Sequence, residues 1–466
     1  MQQADRLISY HHIWRLSWPI ILSNMTFPLV GAVGVAMMGH LPDPAYVGGV
    51  GLGTLVFNVI YLAFSFLRMG TTGFASQAFG RKDTAELGAI LLRSMMIAGL
   101  MGLVIILLQY PLIATASHLL QASAETEMLM TRYMVIRIYD VPASLLNLAI
   151  LGWLFGQQQM KLCMLHLVFV NLLNASLAAF FVLGMNMTIE GVALASIVAQ
   201  YSGLALFGVI LTTRRADLSL SGLPSKARLT DTAKWRALWQ IARDLSLRTL
   251  MIWAVEALML SKAAMMGDLS LASIQIVLTM FAFIAFGLDG IAHATEALVG
   301  AFIGRQDPVR LKQLVWRSIV MSAILSGIVS IVVLLARPAI LSVMTSQPAL
   351  IESVSAVWWW VVLIPPASFL AFLMDGVFVG ASQGRKMRDT TIISAVICFV
   401  IIWFGAGWGL DALLAGFIVY LIARGVLLSL YMNSVIATAT PQQQQPRQRP
   451  TTTTASSSST TTTTTA

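Results

Sequence analysis

Asp289, His293 and Glu296 stand at i, i+4 and i+7 inside one apolar run, a spacing that places all three on a single helical face. A charge at the centre of a bilayer costs about 2.5 to 3.5 kcal/mol on insertion scales, so such groups require a partner, a wet cavity or a function. Asp375 lies ten residues before Arg385. That is roughly 15 Å of helix, about half the hydrocarbon thickness, and it marks Asp375 as a midplane carboxylate. Glu256 follows Arg248 by eight residues on a similar face. Asp375, Asp289, Glu296 and Glu256 are the acids whose placement calls for a wet cavity or a function. Blander readings stand beside this one. Asp289 is 16 residues from Arg305, roughly 24 Å of rise, which also fits a wet position near the outer interface. His293 with Glu296 reads as a hydrogen-bonded cavity histidine before a metal ligand, because H-x-x-E is common on helices, and no metal is expected. Asp244 and Arg248 at i, i+4 could neutralise each other. For Arg68, Arg137 with Asp140, and Arg424, structural pairing explains burial as well as function does.

The elements that carry these residues are membrane spans. The chain is 58% hydrophobic and 11% charged, whereas a soluble domain carries about 25% charge; mean hydropathy is +0.81. Apolar runs of roughly 20 residues centre near residues 26, 60, 98, 145, 173, 201, 254, 287, 325, 370, 398 and 424. The fold predicted is an all-α polytopic membrane protein with twelve transmembrane helices in two pseudo-symmetric six-helix lobes. Lys and Arg fall on every second loop, at Arg81/Lys82, Lys161, Arg214/Arg215 through Arg236, Arg305/Arg310/Lys312 and Arg385/Lys386/Arg388, with Arg337 the exception. The positive-inside rule then places both termini in the cytoplasm. The net charge of +9 is an orientation signal, and nucleic acid is not an expected partner. Cys163 and Cys398 lie inside apolar segments and indicate neither a disulfide framework nor a zinc site. No removable signal peptide is evident before the first span.

The halves repeat. Phe79-Gly80-Arg81 returns as Ile303-Gly304-Arg305, Pro142-Ala143-Ser144 as Pro366-Ala367-Ser368, and Gly156 as Gly380; 304−80, 366−142 and 380−156 all equal 224. An internal repeat is a common sign of a transporter, and six spans per copy relate the copies by an axis along the membrane normal. The boundaries predicted are 1–213 for the first lobe, 214–234 for a basic cytoplasmic linker, 235–437 for the second lobe and 438–466 for a disordered Thr/Ser-rich tail. The matches to Asp289, His293 and Glu296 in the first copy are Ser65, Met69 and Thr72, so the acids are concentrated in the second. Pro19 and Pro28 in the first span and Pro365-Pro366 in the tenth free backbone carbonyls and permit bending. Most of the 25 methionines and Trp358-Trp359-Trp360 read as packing and interfacial residues.

In this order, Trp18-Pro19-Ile20-Ile21-Leu22-Ser23-Asn24, Leu67-Arg68-Met69-Gly70-Thr71-Thr72-Gly73, Gln77-Ala78-Phe79-Gly80, Leu151-Gly152-Trp153-Leu154, Leu288-Asp289-Gly290 and Asp375-Gly376 are specific. From Trp14 to about Met432 the chain resembles the multidrug and toxic compound extrusion (MATE) transporters, in their DinF-like branch. The resemblance implies twelve helices in two lobes and efflux of lipophilic, often cationic, compounds against inward H⁺ or Na⁺. It also exposes departures. Relatives in this branch usually carry an aspartate where this chain has Gly34, and often another where it has Ala178; Asn174 remains, but an amide cannot titrate. Asp375 matches an acid that other branches of the family place in the tenth span. The expectation is coupling through the second lobe by Asp375, with Asp289, Glu296 and Glu256 assisting, and a substrate cavity that includes Asn174, Arg68, His293 and Arg248.

The activity expected is therefore secondary active efflux of lipophilic, cationic small molecules in exchange for H⁺ or Na⁺, with no cofactor beyond the coupling ion. A proton arriving from outside would neutralise a cavity carboxylate and weaken a bound cation. The partners are small-molecule substrates and the lipid bilayer, the expected state is a monomer, and the expected location is a bacterial inner (plasma) membrane. Two transport alternatives remain open: a lipid-linked precursor flippase, which would show a basic cavity, and an uncoupled facilitative carrier. An enzyme is disfavoured, since H-E-x-x-H and a phosphate-cradling loop are missing.

Overall fold

The computed structural model describes residues 5, 7–24, 26, 37, 45–120, 123–214, 218 and 224–441. Their regular structure is helical, with no strand among the described residues. Lobe 1 comprises α1 (Tyr10–Asn24), α2 (Ala45–Gly80), α3 (Thr84–Leu107), α4 (Ala124–Gly156), α5 (Met160–Gly184) and α6 (Ile189–Thr213). Lobe 2 comprises α7 (Thr232–Met265), α8 (Asp268–Gly304), α9 (Pro308–Leu335), α10 (Trp358–Gly380), α11 (Gly384–Phe404) and α12 (Leu410–Ala439). Ten of the twelve are long and apolar enough to cross a membrane. The other two are α1, beyond which most residues up to 44 lie outside the described set, and the more charged α7. Shorter helices at Gln109–Leu120, Arg337–Met344 and Pro348–Ala356 join spans at the opposite end from the basic loops.

The repeat persists down to backbone and side chain. Lys82 and Gln306 adopt φ 58° and 57°, and Gln158 and Ser382 adopt φ 62° and 55°; both pairs are separated by 224 positions. Left-handed backbone is costly for residues with a Cβ, so its return at matched turns reflects one turn geometry used in both copies. Inside each lobe the same hydrogen bond is repeated, Thr71 to Ser94 at 2.8 Å and Thr295 to Ser318 at 3.0 Å. Gly152 and Gly376 match as well. A Cβ on either would run into the backbone of the neighbouring helix, at Arg68 and Ala292 respectively. Small residues let apolar helices approach closely where lipid supplies no hydrophobic drive for association.

The lobes meet at the end that carries Arg81 and Arg305. There α2 crosses α8 with Gly80 against Ala301 and Gly304 against Gln77, a self-complementary contact under the 224-residue relation. Gln77 Nε2 also donates to Gly380 O at 3.0 Å and Ser382 Oγ at 3.1 Å. The apolar core divides accordingly: one cluster fills lobe 1 and the central crossing, and another from Val255 to Leu421 lies wholly within lobe 2. The outer surface stays apolar, as Trp316, Phe404 and Leu107 illustrate, which suits contact with lipid.

The region expected as a linker is partly helical. Lys226–Leu229 forms a short helix and α7 begins at Thr232, while 215–217 and 219–223 lie outside the described residues. Residues 442–466 of the expected tail lie outside them too, as do Pro28 and Gly34. Pro19 sits within α1. Pro365 and Pro366 sit within α10, which runs unbroken from Trp358 to Gly380. Pro366 has no N–H for Val362 O, and Ser330 Oγ of α9 donates to that carbonyl at 2.9 Å instead.

Candidate functional site in the second lobe

Helical periodicity brings the acidic residues together. Asp289, His293 and Glu296 line a cavity of about 360 Å³ from the inward face of α8, opposite Arg248 and Glu256 of α7, Asp375 of α10 and Arg424 of α12. Lobe 1 contributes Leu62, Ser65, Arg68 and Met69 of α2, next to the interruption of that helix at Phe64–Ser65. The walls between the charges are apolar, including Ile252, Trp253, Phe281 and Phe372. All the predicted coupling residues thus share one chamber, mostly within lobe 2, and Asp289 lines it.

Asp375 is not a lone acid. Its Oδ2 accepts a hydrogen bond from Arg424 Nη2 at 2.5 Å and another from Arg248 Nη2. Arg424 also donates to Tyr420 Oη at 3.3 Å, and its guanidinium lies 5.9 Å from the Phe372 ring centre. Arg248 therefore does not neutralise Asp244, as helical spacing suggested. Asp244 accepts from Arg388 at 2.7 Å and Arg243 at 3.0 Å near the basic-loop end, while Arg248 turns into the chamber.

A second cluster bridges the lobes. Arg68 of lobe 1 lies 3.6 Å from Glu296 Oε2, which also contacts His293 Nδ1 at 3.1 Å. Phe155 backs both partners, with its ring centre 5.6 Å from the Arg68 guanidinium and 5.5 Å from the His293 ring. Glu256 and Asp289, in contrast, form no ion pair or hydrogen bond among the described residues. Three guanidiniums and four carboxylates face one chamber, a formal charge of 3−4=−1 from these side chains.

Asn174 does not join this chamber. It is buried within lobe 1, where its Nδ2 donates to Ser196 Oγ at 3.0 Å. Arg137 is also elsewhere, paired with Asp140 at 3.3 Å and bonded to Tyr133 Oη at 2.5 Å, with Tyr61 Oη donating to the same aspartate. Among the described residues no three His, Cys, Asp or Glu side chains are grouped to hold a metal ion. The convergence of Arg248 and Arg424 on Asp375, from positions 127 and 49 residues away, carries no short-range sequence signal.

The MatE family profile matches residues 19–180 and 245–404, one segment in each lobe. The chain belongs to the MatE family. This MatE protein is 34% identical over 420 residues to DNA damage-inducible protein F of Escherichia coli, covering 90% of each chain. It is 22% identical to the probable multidrug resistance protein NorM of Neisseria meningitidis serogroup B, over 76% of this chain and 78% of that one. A crystal structure of a MATE protein in its straight conformation superposes with a TM-score of 0.82 at 19% identity, covering 92% of this chain and 96% of that one. The MatE protein is accordingly a twelve-helix integral membrane transporter and not an enzyme.

Proposed function

We propose that this MatE protein is a secondary active efflux transporter of the bacterial inner membrane, working as a monomer with both termini cytoplasmic. It exports lipophilic cations in exchange for H⁺ or Na⁺, with coupling carried by the second lobe. One observation carries this reading: the chamber has apolar walls, a formal side-chain charge of −1, and two carboxylates, Glu256 and Asp289, that no arginine contacts. An organic cation completes that charge. A proton or Na⁺ that neutralises one free carboxylate removes the attraction, which at 6 Å and an effective dielectric of 20 is about 3 kcal/mol, more than 100-fold in affinity. Binding of ion and substrate is then mutually exclusive, which is the linkage an antiporter requires.

Asp375 and Glu296 serve in this reading as fixed charges. Asp375 stays compensated by Arg248 and Arg424, and Glu296 by Arg68 across the lobe boundary. With the basic loops cytoplasmic, the Gly80–Ala301 and Gly304–Gln77 crossing seals the cytoplasmic side of the chamber. Alternating access would open that seam and move Arg68 away from Glu296. The membrane potential adds about 2.3 kcal/mol per charge per 100 mV when exchange is electrogenic.

The test is transport in proteoliposomes. Counter-movement of tetraphenylphosphonium under an imposed proton or Na⁺ gradient supports the reading and identifies the ion. Movement only down the substrate's own gradient, unaffected by either ion, would establish an uncoupled carrier instead.

A further inference from the structure

Where α7, α10 and α12 meet, two guanidiniums contact one carboxylate, while Glu256 and Asp289 line the same chamber without a direct contact to either arginine. The three members of that corner are more than nine-tenths buried, with 7% exposure at Arg248, 2% at Arg424 and 6% at Asp375. One arginine suffices to neutralise one aspartate. A second buried guanidinium brings a desolvation cost with no second carboxylate in direct contact, so its presence needs a reason.

The donor inventory supplies one. A guanidinium offers five N–H donors in a rigid fork that matches the oxygens of carboxylate and phosphate. Among the described residues Arg248 donates one hydrogen bond and Arg424 two, and all that reach a carboxylate converge on the single oxygen Oδ2. The Nε atoms of both arginines, and Oδ1 of Asp375, are buried without a hydrogen-bond partner. Phe372 and Phe281 line the chamber beside this corner. Under the 224-residue relation Arg248, Asp375 and Arg424 match Asn24, Leu151 and Gln200, so the corner exists in one lobe only.

We infer that Arg248 and Arg424 form a subsite for the oxyanion group of an amphiphile, with Asp375 as its internal occupant. A phosphate or carboxylate takes the guanidinium edges that Asp375 leaves open, and the apolar body lies along Phe281 and Phe372. This deepens, and rests on, the reading of the chamber as the substrate site. Substrates bearing both charges are then accommodated, with the cation at Glu256 or Asp289 and the oxyanion at the arginine pair. Arg68 is not part of the subsite, because Glu296 holds it.

The test uses the full chain in phosphatidylcholine nanodiscs, with radiolabelled octyl phosphate as probe and octyltrimethylammonium as its matched cation. Saturable octyl phosphate binding is expected in wild type. Arg248→Gln and Arg424→Gln should each weaken it by about tenfold, the loss of one charge-assisted contact. Asp375→Asn should tighten it, because the internal competitor is gone; a purely structural arginine pair would show no such gain. Helical circular dichroism and monodisperse elution show that the arginine variants are folded. Unchanged octyl phosphate binding in Asp375→Asn, or in both arginine variants, overturns the inference. Loss of cation binding in wild type with octyl phosphate behaving as expected would instead overturn the cation-efflux reading and leave the subsite standing. Competition by phosphatidylglycerol added to the disc would identify a lipid headgroup as the occupant, and its absence a free amphiphile.

Discussion

Asp83 and Asp307, 224 residues apart, each accept a hydrogen bond of 3.1 Å from the backbone N–H three residues downstream, Glu86 in one lobe and Arg310 in the other. Each also holds an arginine, Asp83 taking Arg228 at 2.9 Å and Asp307 taking Arg310 at 2.8 Å. Burial alone would raise these carboxyls. The arginine and backbone bonds outweigh it and hold both below the ordinary aspartate value. A folded value below the unfolded one means the stabilisation is present above about pH 4 and is lost as pH falls through the folded value. Asp307→Ala is expected to cost about 1 kcal/mol, the worth of one N-cap. The gap in thermal midpoint between variant and wild type should persist at neutral pH and close under acid.

Gly304 at the central crossing and Gly376 at the α8–α10 contact within lobe 2 predict a sharp contrast with an open position. A Cβ at Gly304 would lie 3.0 Å from the Gln77 carbonyl carbon, and one at Gly376 3.0 Å from that of Ala292, whereas Gly327 in α9 has nothing within 4 Å. Gly304→Ala and Gly376→Ala should each cost about 1 to 3 kcal/mol through forced backbone shifts. Gly327→Ala should be neutral or stabilising, since alanine is the better helix former. Unfolding in a graded detergent series separates the two classes.

The Ser330–Val362 bond exists because Pro366 cannot make it. Ser330→Ala should cost about 1 kcal/mol in wild type, the typical worth of such a bond. In a Pro366→Ala background, where the helix supplies its own donor, the same change should cost less. A double-mutant cycle measures the difference, and additive effects would show that the serine does not act through that carbonyl.

Asp375 bears the charge of two buried guanidiniums. Asp375→Leu should therefore destabilise by about 3 to 5 kcal/mol, the cost of stranding buried charge. Arg424→Gln leaves the Arg248–Asp375 pair intact and should cost less. Thermal midpoints of the two purified variants give the order directly.

Periodicity and composition contain most of this architecture. The repeat at 224, the twelve spans and the shared face of Asp289, His293 and Glu296 all follow from local patterns, because a helix converts spacing into direction. The pairings do not. Helical spacing joined Asp244 to Arg248, yet Asp244 lies against Arg388 of α11 and Arg248 reaches Asp375 of α10. Both partners come from other spans, and the packing of α7 against α11, with the chamber that α7 and α10 both line, determines which carboxylate each arginine meets. Asn174 was expected in the substrate cavity by resemblance, and its place beside Ser196 in lobe 1 reflects a chamber built mostly from lobe 2.

In the proposed cycle the free carboxylates of the second lobe exchange a coupling proton for a cation. Everted membrane vesicles with a respiration-driven ΔpH test it, by recording proton release when lipophilic cations are added to wild type and to the Glu256→Gln/Asp289→Asn double variant. Dissipation is expected in wild type and should vanish in the double variant while expression is retained. Equal dissipation by both proteins would contradict it.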